Sequence, residues 1–314
     1  MRMKGGVPHP IPYQGSKRLL AGEILSRIPT QVGRLVEPFA GSAAISLAVA
    51  HAGISSSFWI NDAHAPLISL WDAILNHPAS LSKGYERLWF EQEGREREYF
   101  KIVRDLFNKD RRPEHFLYLL ARCVKAAVRY NANGEFNNTP DNRRKGAKPK
   151  VMSERIRGAS ELLARKTLLT STDYREVLSK CDSGDLVYLD PPYQGVCLNR
   201  DNRYAPKVNH EEFWDCLDDL NRRDSLFVVS YDGRTGTKQH GLKMPSRLKL
   251  THLELCAGRS SQATLLGQDQ VTYESLYLSP AVVEITARHT NERRAIQMQQ
   301  HPKRKSSGFP IARR

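Results

Sequence analysis

Arg34-Leu35-Val36-Glu37-Pro38-Phe39-Ala40-Gly41-Ser42 is the stretch on which the fold turns. Arg34 to Phe39 reads as a short strand entering a turn. Ala40-Gly41-Ser42 is the turn, and Ala43 to Ala50 is rich in small residues and helix formers. Strand, glycine turn and helix in that order open a Rossmann-like α/β fold. The glycine lets the backbone approach a ligand closely. The full G-x-G-x-x-G spacing is missing, which argues against a dinucleotide pyrophosphate.

The same pattern repeats outward from this unit. Phe58-Trp59-Ile60 is a second strand, ending at Asn61-Asp62. Leu168-Leu169-Thr170 is a third and ends at Asp173, residues 186–189 are a fourth, and residues 226–230 a fifth. Helical segments between them predict a mostly parallel sheet with helices on both faces. Residues 248–255 and 273–278 are further strand candidates that would close the sheet edge. The interval from Asp62 to Leu168 is too long for one crossover. Residues 99–107 and 116–128 carry helical patterns, and Asn131-Ala132-Asn133-Gly134 is followed by a polar run to Lys150. That interval predicts an inserted, mainly helical module with a basic hairpin or loop. The expected organisation is a catalytic domain over residues 8–64 and 166–284, an inserted module over 65–165, and a basic, disordered tail over 285–314.

The net charge of +14 over 314 residues points to a polyanionic partner, nucleic acid first. Residues 288–314 hold eight Lys/Arg against Glu292, so half the excess lies in the tail and the body stays basic by itself. No run of about 18 apolar residues exists, so no membrane span is expected. The basic N-terminus lacks an apolar segment after it and does not read as a signal peptide. Five scattered cysteines form no C-x-x-C pair, and neither a zinc site nor a disulfide framework is expected. These features predict a cytoplasmic protein without a metal, associated with the nucleoid through DNA.

Asp190-Pro191-Pro192-Tyr193 follows the apolar run 186–189. Two prolines stiffen the backbone beyond the strand end. The turn presents one carboxylate and one ring to a common space. That pair suits a flat, amino-bearing base: the ring stacks on it and the carboxylate accepts from its amine. A lone Asp-Pro turn also ends many strands, so the other motifs decide the reading.

Taken in order, Pro12-Tyr13-Gln14-Gly15-Ser16-Lys17, Glu37-Pro38-Phe39-Ala40-Gly41-Ser42, Asn61-Asp62 and Asp190-Pro191-Pro192-Tyr193 resemble the motifs of the Dam-like, alpha-type DNA adenine N6-methyltransferases. Arg129-Tyr130-Asn131 with Gly134-Glu135-Phe136-Asn137 is similar to that family's recognition module. The resemblance spans residues 8–280. It implies a Rossmann-like methyltransferase domain with S-adenosylmethionine as the cofactor and double-stranded DNA as the partner. Asp190, Pro191, Pro192 and Tyr193 would be catalytic. Tyr13, Lys17, Glu37, Pro38, Phe39, Gly41, Ser42, Asp62, Asp173 and Asp190 would line the cofactor site. Arg129, Asn131, Arg143, Arg144, Lys145, Lys148 and Tyr204 would face DNA. The family often carries Trp and a double glycine where this chain has Tyr13 and Gly15-Ser16.

The chemistry implied is transfer of a methyl group to the 6-amino group of adenine in a base flipped out of the duplex. A restriction–modification context makes a cognate restriction endonuclease a candidate partner. Two alternatives stand beside this reading. One is an RNA adenine methyltransferase. The other is a non-catalytic DNA-binding protein on a methyltransferase fold.

Overall fold

The computed structural model describes residues 6–192, 208–259 and 270–289. Among these residues, eight strands form one sheet: β1 (Arg34–Glu37), β2 (Phe58–Asn61), β3 (Thr167–Thr170), β4 (Asp185–Leu189), β5 (Leu226–Thr235), β6 (Lys238–Gln239), β7 (Thr251–Arg259) and β8 (Val271–Leu278). Their order is β3-β2-β1-β4-β5-β8-β7, with β6 paired to β5 as a short hairpin. The first five strands in that order run parallel, and Val36 of β1 lies between Trp59 and Val187. β8 pairs antiparallel with both β5 and β7.

Parallel strands need cover on both faces, and β4 is buried at all five positions. Leu35, Ile60, Tyr188, Val228 and Leu276 point to one face, together with Leu20 and Ile24 of the N-terminal segment. Val36, Trp59, Val187, Val229 and Tyr277 point to the other, beneath Tyr174, Phe213 and Leu217. On the first face lie α1 (Ala21–Leu25) and α2 (Ala44–Ala52). On the second lie α8 (Tyr174–Ser179) and α9 (His210–Arg222). Residues 280–289 form a last helix, α10.

The insertion between β2 and β3 is helical, as its periodicity predicts. It comprises α3 (Ala65–Asn76), α4 (Pro78–Glu91), α5 (Glu96–Asp110), α6 (Pro113–Arg122) and α7 (Pro149–Leu163). Trp71, Phe100, Phe107, Phe116 and Phe136 belong to the same apolar cluster as Leu35, Ile60 and Leu186 of the sheet. The module therefore continues the core of one sheet face.

Several boundaries differ from expectation. The helix expected to reach residue 128 stops at Arg122, and Lys125 and Ala126 take positive φ. The chain needs these residues to reverse direction: Val124 N bonds Thr139 O, and Gln14 N bonds Ala126 O. Arg129, expected at a helix end, is instead in an extended arm of a hairpin, where its carbonyl accepts from Asn137 N. Lys150 is not in the basic loop, because Pro149 opens α7. The edge strand β7 begins three residues later than expected, Leu248 ending a 3₁₀ turn. Residues 285–289, expected in the disordered tail, lie in α10. Residues 290–314 fall outside the described residues.

Candidate active site

Asp190, Asp62 and Glu37 all stand at the same edge of the sheet. In an open α/β sheet, ligands bind beyond the carboxyl ends of the parallel strands. β1 ends at Glu37, β2 leads into Asp62, and β4 leads into Asp190.

The glycine turn after β1 is held from three sides. Asp62 Oδ2 accepts from Gly41 N at 2.9 Å, and Trp71 Nε1 donates to Gly41 O at 3.0 Å. Gly41 has φ +50, and a Cβ there would meet the Tyr13 ring at 3.3 Å. The turn thus packs backbone directly under an aromatic ring, which explains glycine at this position. Ser42 Oγ donates to Ser16 Oγ at 2.7 Å, tying the turn to the N-terminal segment.

Asp62 Oδ1 accepts from His64 N at 3.0 Å. Each oxygen therefore carries one backbone bond and keeps a lone pair for a hydroxyl donor. Burial raises the Asp62 pKa against the pull of these two bonds. Neighbouring Asn61 is fully buried and binds the loops together. Its Nδ2 donates to Pro38 O (2.9 Å) and Thr172 O (3.1 Å), and its Oδ1 accepts from Thr170 Oγ1 (2.8 Å) and Thr172 N (3.0 Å).

Lys17, expected to line a cofactor pocket, is bonded to Asp190. Its side chain is 6% exposed, and its Nζ lies 2.8 Å from Oδ1 and 2.7 Å from Oδ2 of that carboxylate. A third contact, 3.0 Å, reaches Glu274 Oε1. Burial alone would lower the Lys17 pKa, but the two carboxylates outweigh it and keep the ammonium charged. Reading the sequence alone misses Glu274, although it is the one charged residue in Val271–Leu278, and an acid inside an apolar strand is a signal that could have found it.

Glu37 is buried and accepts hydrogen bonds from Ser46 N (2.9 Å) and Ser46 Oγ. Burial pushes its pKa up to about 7, against those two bonds. Phe39 is half-buried, with ring centroids 5.0 Å from Tyr174 and 6.3 Å from Phe213. Asp173 caps α8: its Oδ1 accepts from Arg175 N (2.9 Å) and Nε (2.8 Å), and its Oδ2 from Arg175 Nη2 (3.0 Å). Pro191 and Pro192 follow Asp190 at the strand end, whereas Tyr193 and Tyr204 lie outside the described residues.

The segment from Tyr130 to Asn137 forms a second cluster. Tyr130 and Phe136 pair across a hairpin, with Phe136 buried among Phe107, Phe116 and Tyr130. Asn131 shapes the tip. Its Oδ1 accepts from Asn133 N (3.0 Å) and Glu135 N (2.9 Å), and its Nδ2 donates to Glu135 Oε2 (2.8 Å). Tyr130 Oη bonds His64 Nε2, linking the hairpin to the residue that follows the Asp62 loop. Burial, reinforced by Arg111, pushes the His64 pKa down to about 4.

The basic turn is anchored elsewhere. Lys145 Nζ pairs with Glu96 at 2.6 Å, and Lys145 O accepts from Gln92 Nε2 at 3.1 Å. Glu96 opens α5, whereas Asn108, which holds Phe136 through two bonds, lies near its end. A 15-residue helix is ~22 Å long, so turn and hairpin sit at opposite ends of α5. Arg143, Arg144, Lys145 and Lys148 are exposed.

The donor set fits S-adenosylmethionine. Asp62 has free acceptor capacity for a ribose diol, the Gly41 turn leaves no room for a side chain, and Phe39 offers a ring at the same edge. The strand order and the parallel core define a Rossmann-like α/β fold. Residues 13–242 match the D12 class N6 adenine-specific DNA methyltransferases, and the chain belongs to that family. Among its relatives are the retron Ec67 DNA adenine methylase of Escherichia coli and the DNA adenine methylase of Serratia marcescens. The first is 32% identical over 191 residues, 59% of this chain and 63% of that protein. The second is 29% identical over 185 residues, 58% and 65% respectively. The chain thus spans just under two thirds of the length of these two relatives. The type II methyltransferase M1.LlaDCHI of Lactococcus lactis subsp. cremoris is 25% identical over 274 residues, 77% of this chain and 92% of its own. No helix among the described residues is long and apolar enough to cross a membrane.

Proposed function

We propose that this chain methylates the exocyclic 6-amino group of adenine in duplex DNA, with S-adenosylmethionine as donor, acting in the cytoplasm. The observation that carries the reading is Asp190: a carboxylate at the carboxyl end of β4, both oxygens fixed by buried Lys17, followed by two prolines.

The lone pair of an adenine 6-amino group is delocalised into the ring, so the nitrogen is a poor nucleophile. An acceptor that bonds its hydrogen draws the nitrogen towards tetrahedral geometry and localises that pair. Asp190 is that acceptor, and the Pro191 carbonyl is the second. Lys17 holds both oxygens of the Asp190 carboxylate in place. When bound, S-adenosylmethionine supplies an electrophilic sulfonium methyl. Asp62 takes the ribose hydroxyls, the turn at Gly41 and Ser42 receives the methionine part, and Tyr13, Pro38 and Phe39 complete the pocket. Asp173 contacts the adenine amine of the cofactor alongside its capping role. Holding amine and donor in near-attack geometry supplies much of the rate.

The target base is unreachable inside a duplex and must be extruded. Tyr193 stacks on it and Tyr204 assists its capture. Arg129 and Asn131 carry the hairpin that meets the DNA, while Arg143, Arg144, Lys145 and Lys148 position the phosphates. The type II relative makes a restriction–modification pairing with a cognate endonuclease the favoured setting.

DNA is preferred over RNA because the large module precedes β4 and carries a hairpin with an exposed tip. A non-catalytic role would not require Lys17, Asp62, Asp190 and the Gly41 turn all to be intact. The test is long-read sequencing of DNA, beside nucleoside analysis of RNA, from cells expressing the chain. N6-methyladenine at one DNA motif is the expected result. Methyladenine confined to RNA would replace the reading.

A further inference from the structure

The basic turn has no regular secondary structure over residues 141–148, yet its backbone is not left to water. Three buried side chains reach three of its carbonyls. Arg122 Nη1 donates to Asp141 O (3.3 Å), Gln92 Nε2 to Lys145 O (3.1 Å) and Tyr85 Oη to Ala147 O (2.8 Å). Arg122 ends α6, Tyr85 lies in α4, and Gln92 caps the end of α4. Each of the three is at most 2% exposed. Arg122 and Gln92 meet at Tyr118. Its Oη donates to Gln92 Oε1 (3.0 Å), and the Arg122 guanidinium opposes the rise that burial causes in its pKa. Asp141 N in turn donates to Arg122 O at 2.7 Å. Gly146 has φ +81, and a Cβ there would lie 2.8 Å from Tyr85 Oη, so glycine lets the chain pass over that hydroxyl.

This frame holds backbone and leaves the basic side chains outside it: Arg143, Arg144, Lys145 and Lys148 are exposed. A loop that only carried charge would not need buried donors, because water satisfies the carbonyls of a surface loop. Arg122 makes the point most sharply. Burying a cation is costly unless hydrogen bonds and an opposite charge compensate it. Arg122 donates to Asp141 O and Glu96 O (3.3 Å each), whereas its Nε has no partner and no carboxylate pairs with it among the described residues. It also holds a turn that is itself basic, so its charge adds to the repulsion there. Electrostatics therefore does not explain its place. The two carbonyls that it ties together do, one on the turn and one at the start of α5.

We infer that Arg122 and Gln92 are positioning residues for DNA discrimination: they fix the turn before DNA arrives, so that its basic side chains meet phosphates in one register. The inference rests on the proposed assignment of this turn to DNA. Phosphate contacts in a fixed register decide where the base-reading groups fall. A constellation locked by buried hydrogen bonds keeps that placement. Non-specific binding depends instead on the number of charges, because counterion release drives it. Loosening the frame removes no exposed charge. It lowers affinity for the recognised sequence and spares affinity for any other duplex.

The test uses Gln92→Leu and Arg122→Met in the full chain, with Arg122→Lys beside them. Two duplex oligonucleotides are compared, one carrying the motif that the wild-type chain methylates and one lacking it. Gln92→Leu and Arg122→Met should each bind the motif duplex about tenfold more weakly, within the range of one mismatched base pair. On the other duplex, affinity should stay within about twofold and the slope of log affinity against log salt should not change. Arg122→Lys should recover part of the loss. In the wild-type chain, which needs no variant to fold, the Asp141 and Arg144 amides should be protected from hydrogen exchange before DNA is added. A wild-type affinity ratio between the two duplexes, whatever the melting temperature, would overturn the inference. So would an equal loss on both duplexes, or free exchange at those amides. Joint replacement of Arg143, Arg144 and Lys148 by glutamine separates the two levels. If it weakens binding to both duplexes while Gln92→Leu discriminates as wild type does, this inference alone fails. If it binds both duplexes as wild type does, the reading that sets the turn on DNA fails, and this inference with it.

Discussion

Charge at the sheet edge and charge in the insertion are arranged in opposite ways. At the edge, Lys17 is 6% exposed and Asp190 21%, and each is held by a partner from a distant part of the chain. In the basic turn, Arg144 is 78% exposed and its partner Asp141 is three residues away. Removing a buried, paired charge leaves its partner uncompensated and costs several kcal/mol. Exposed pairs contribute at most about 1 kcal/mol and are screened by salt. The proposed function assigns the fixed edge to chemistry on one small group. It assigns the exposed charge of the insertion to a long polyanion, where affinity comes from many weak contacts.

The largest effect should follow from Lys17→Met. It leaves Asp190 and Glu274 facing each other without the cation, and stability should fall by about 3–5 kcal/mol at pH 8. Denaturant titrations measure this, and a small loss would mean that the edge behaves like the exposed turn.

Glu37→Gln probes the same edge with the opposite sign. The Glu37 pKa is held up at about 7 in the fold, above its unfolded value. Its contribution to stability is therefore complete below the unfolded pKa and lost as pH rises through 7. Neutral glutamine should then be more stable than wild type at pH 8 by on the order of 2–3 kcal/mol and near neutral in effect at pH 5. Melting curves across that window provide the check.

Asp62→Ala should weaken S-adenosylhomocysteine by roughly 1.5–3 kcal/mol, the worth of charge-assisted hydrogen bonds, while DNA affinity holds. Calorimetry reads both. A change in DNA binding alone would place Asp62 with the insertion.

Much of this contrast is legible in the sequence. Short apolar runs ending in Asn61-Asp62 and Asp190 mark the strand ends, because parallel strands are buried on both faces and end where the polar residues begin. The insertion is legible as helix from its periodicity. The start of its hairpin is not, because Val124 to Val128 continues an apolar helical pattern. Only tertiary bonds, such as Gln14 N to Ala126 O, reverse the chain there. The partnership of Lys17 with Glu274 spans almost the whole described chain, and no local rule pairs those positions. The bulge that sets Asp232 and Gly233 opposite Glu274 is likewise a property of the ladder.

The smallest effect belongs to the turn. Replacing Arg143, Arg144 and Lys148 with glutamine should leave S-adenosylhomocysteine binding unchanged. For every phosphate that these side chains neutralise, the slope of log affinity against log salt should become shallower by about 0.9. A relaxed preference at one base pair would mark one arginine as a base reader. An identical slope would move the DNA surface to the hairpin around Arg129 and Asn131.

The most direct test of the central claim is single-turnover methyl transfer by Asp190→Ala on a duplex oligonucleotide, with DNA affinity measured on the same protein. If Asp190 is the acceptor for the target amine, the rate should fall about a hundredfold or more while the DNA dissociation constant changes by less than about threefold, because phosphate contacts dominate binding. A rate close to wild type would contradict the account.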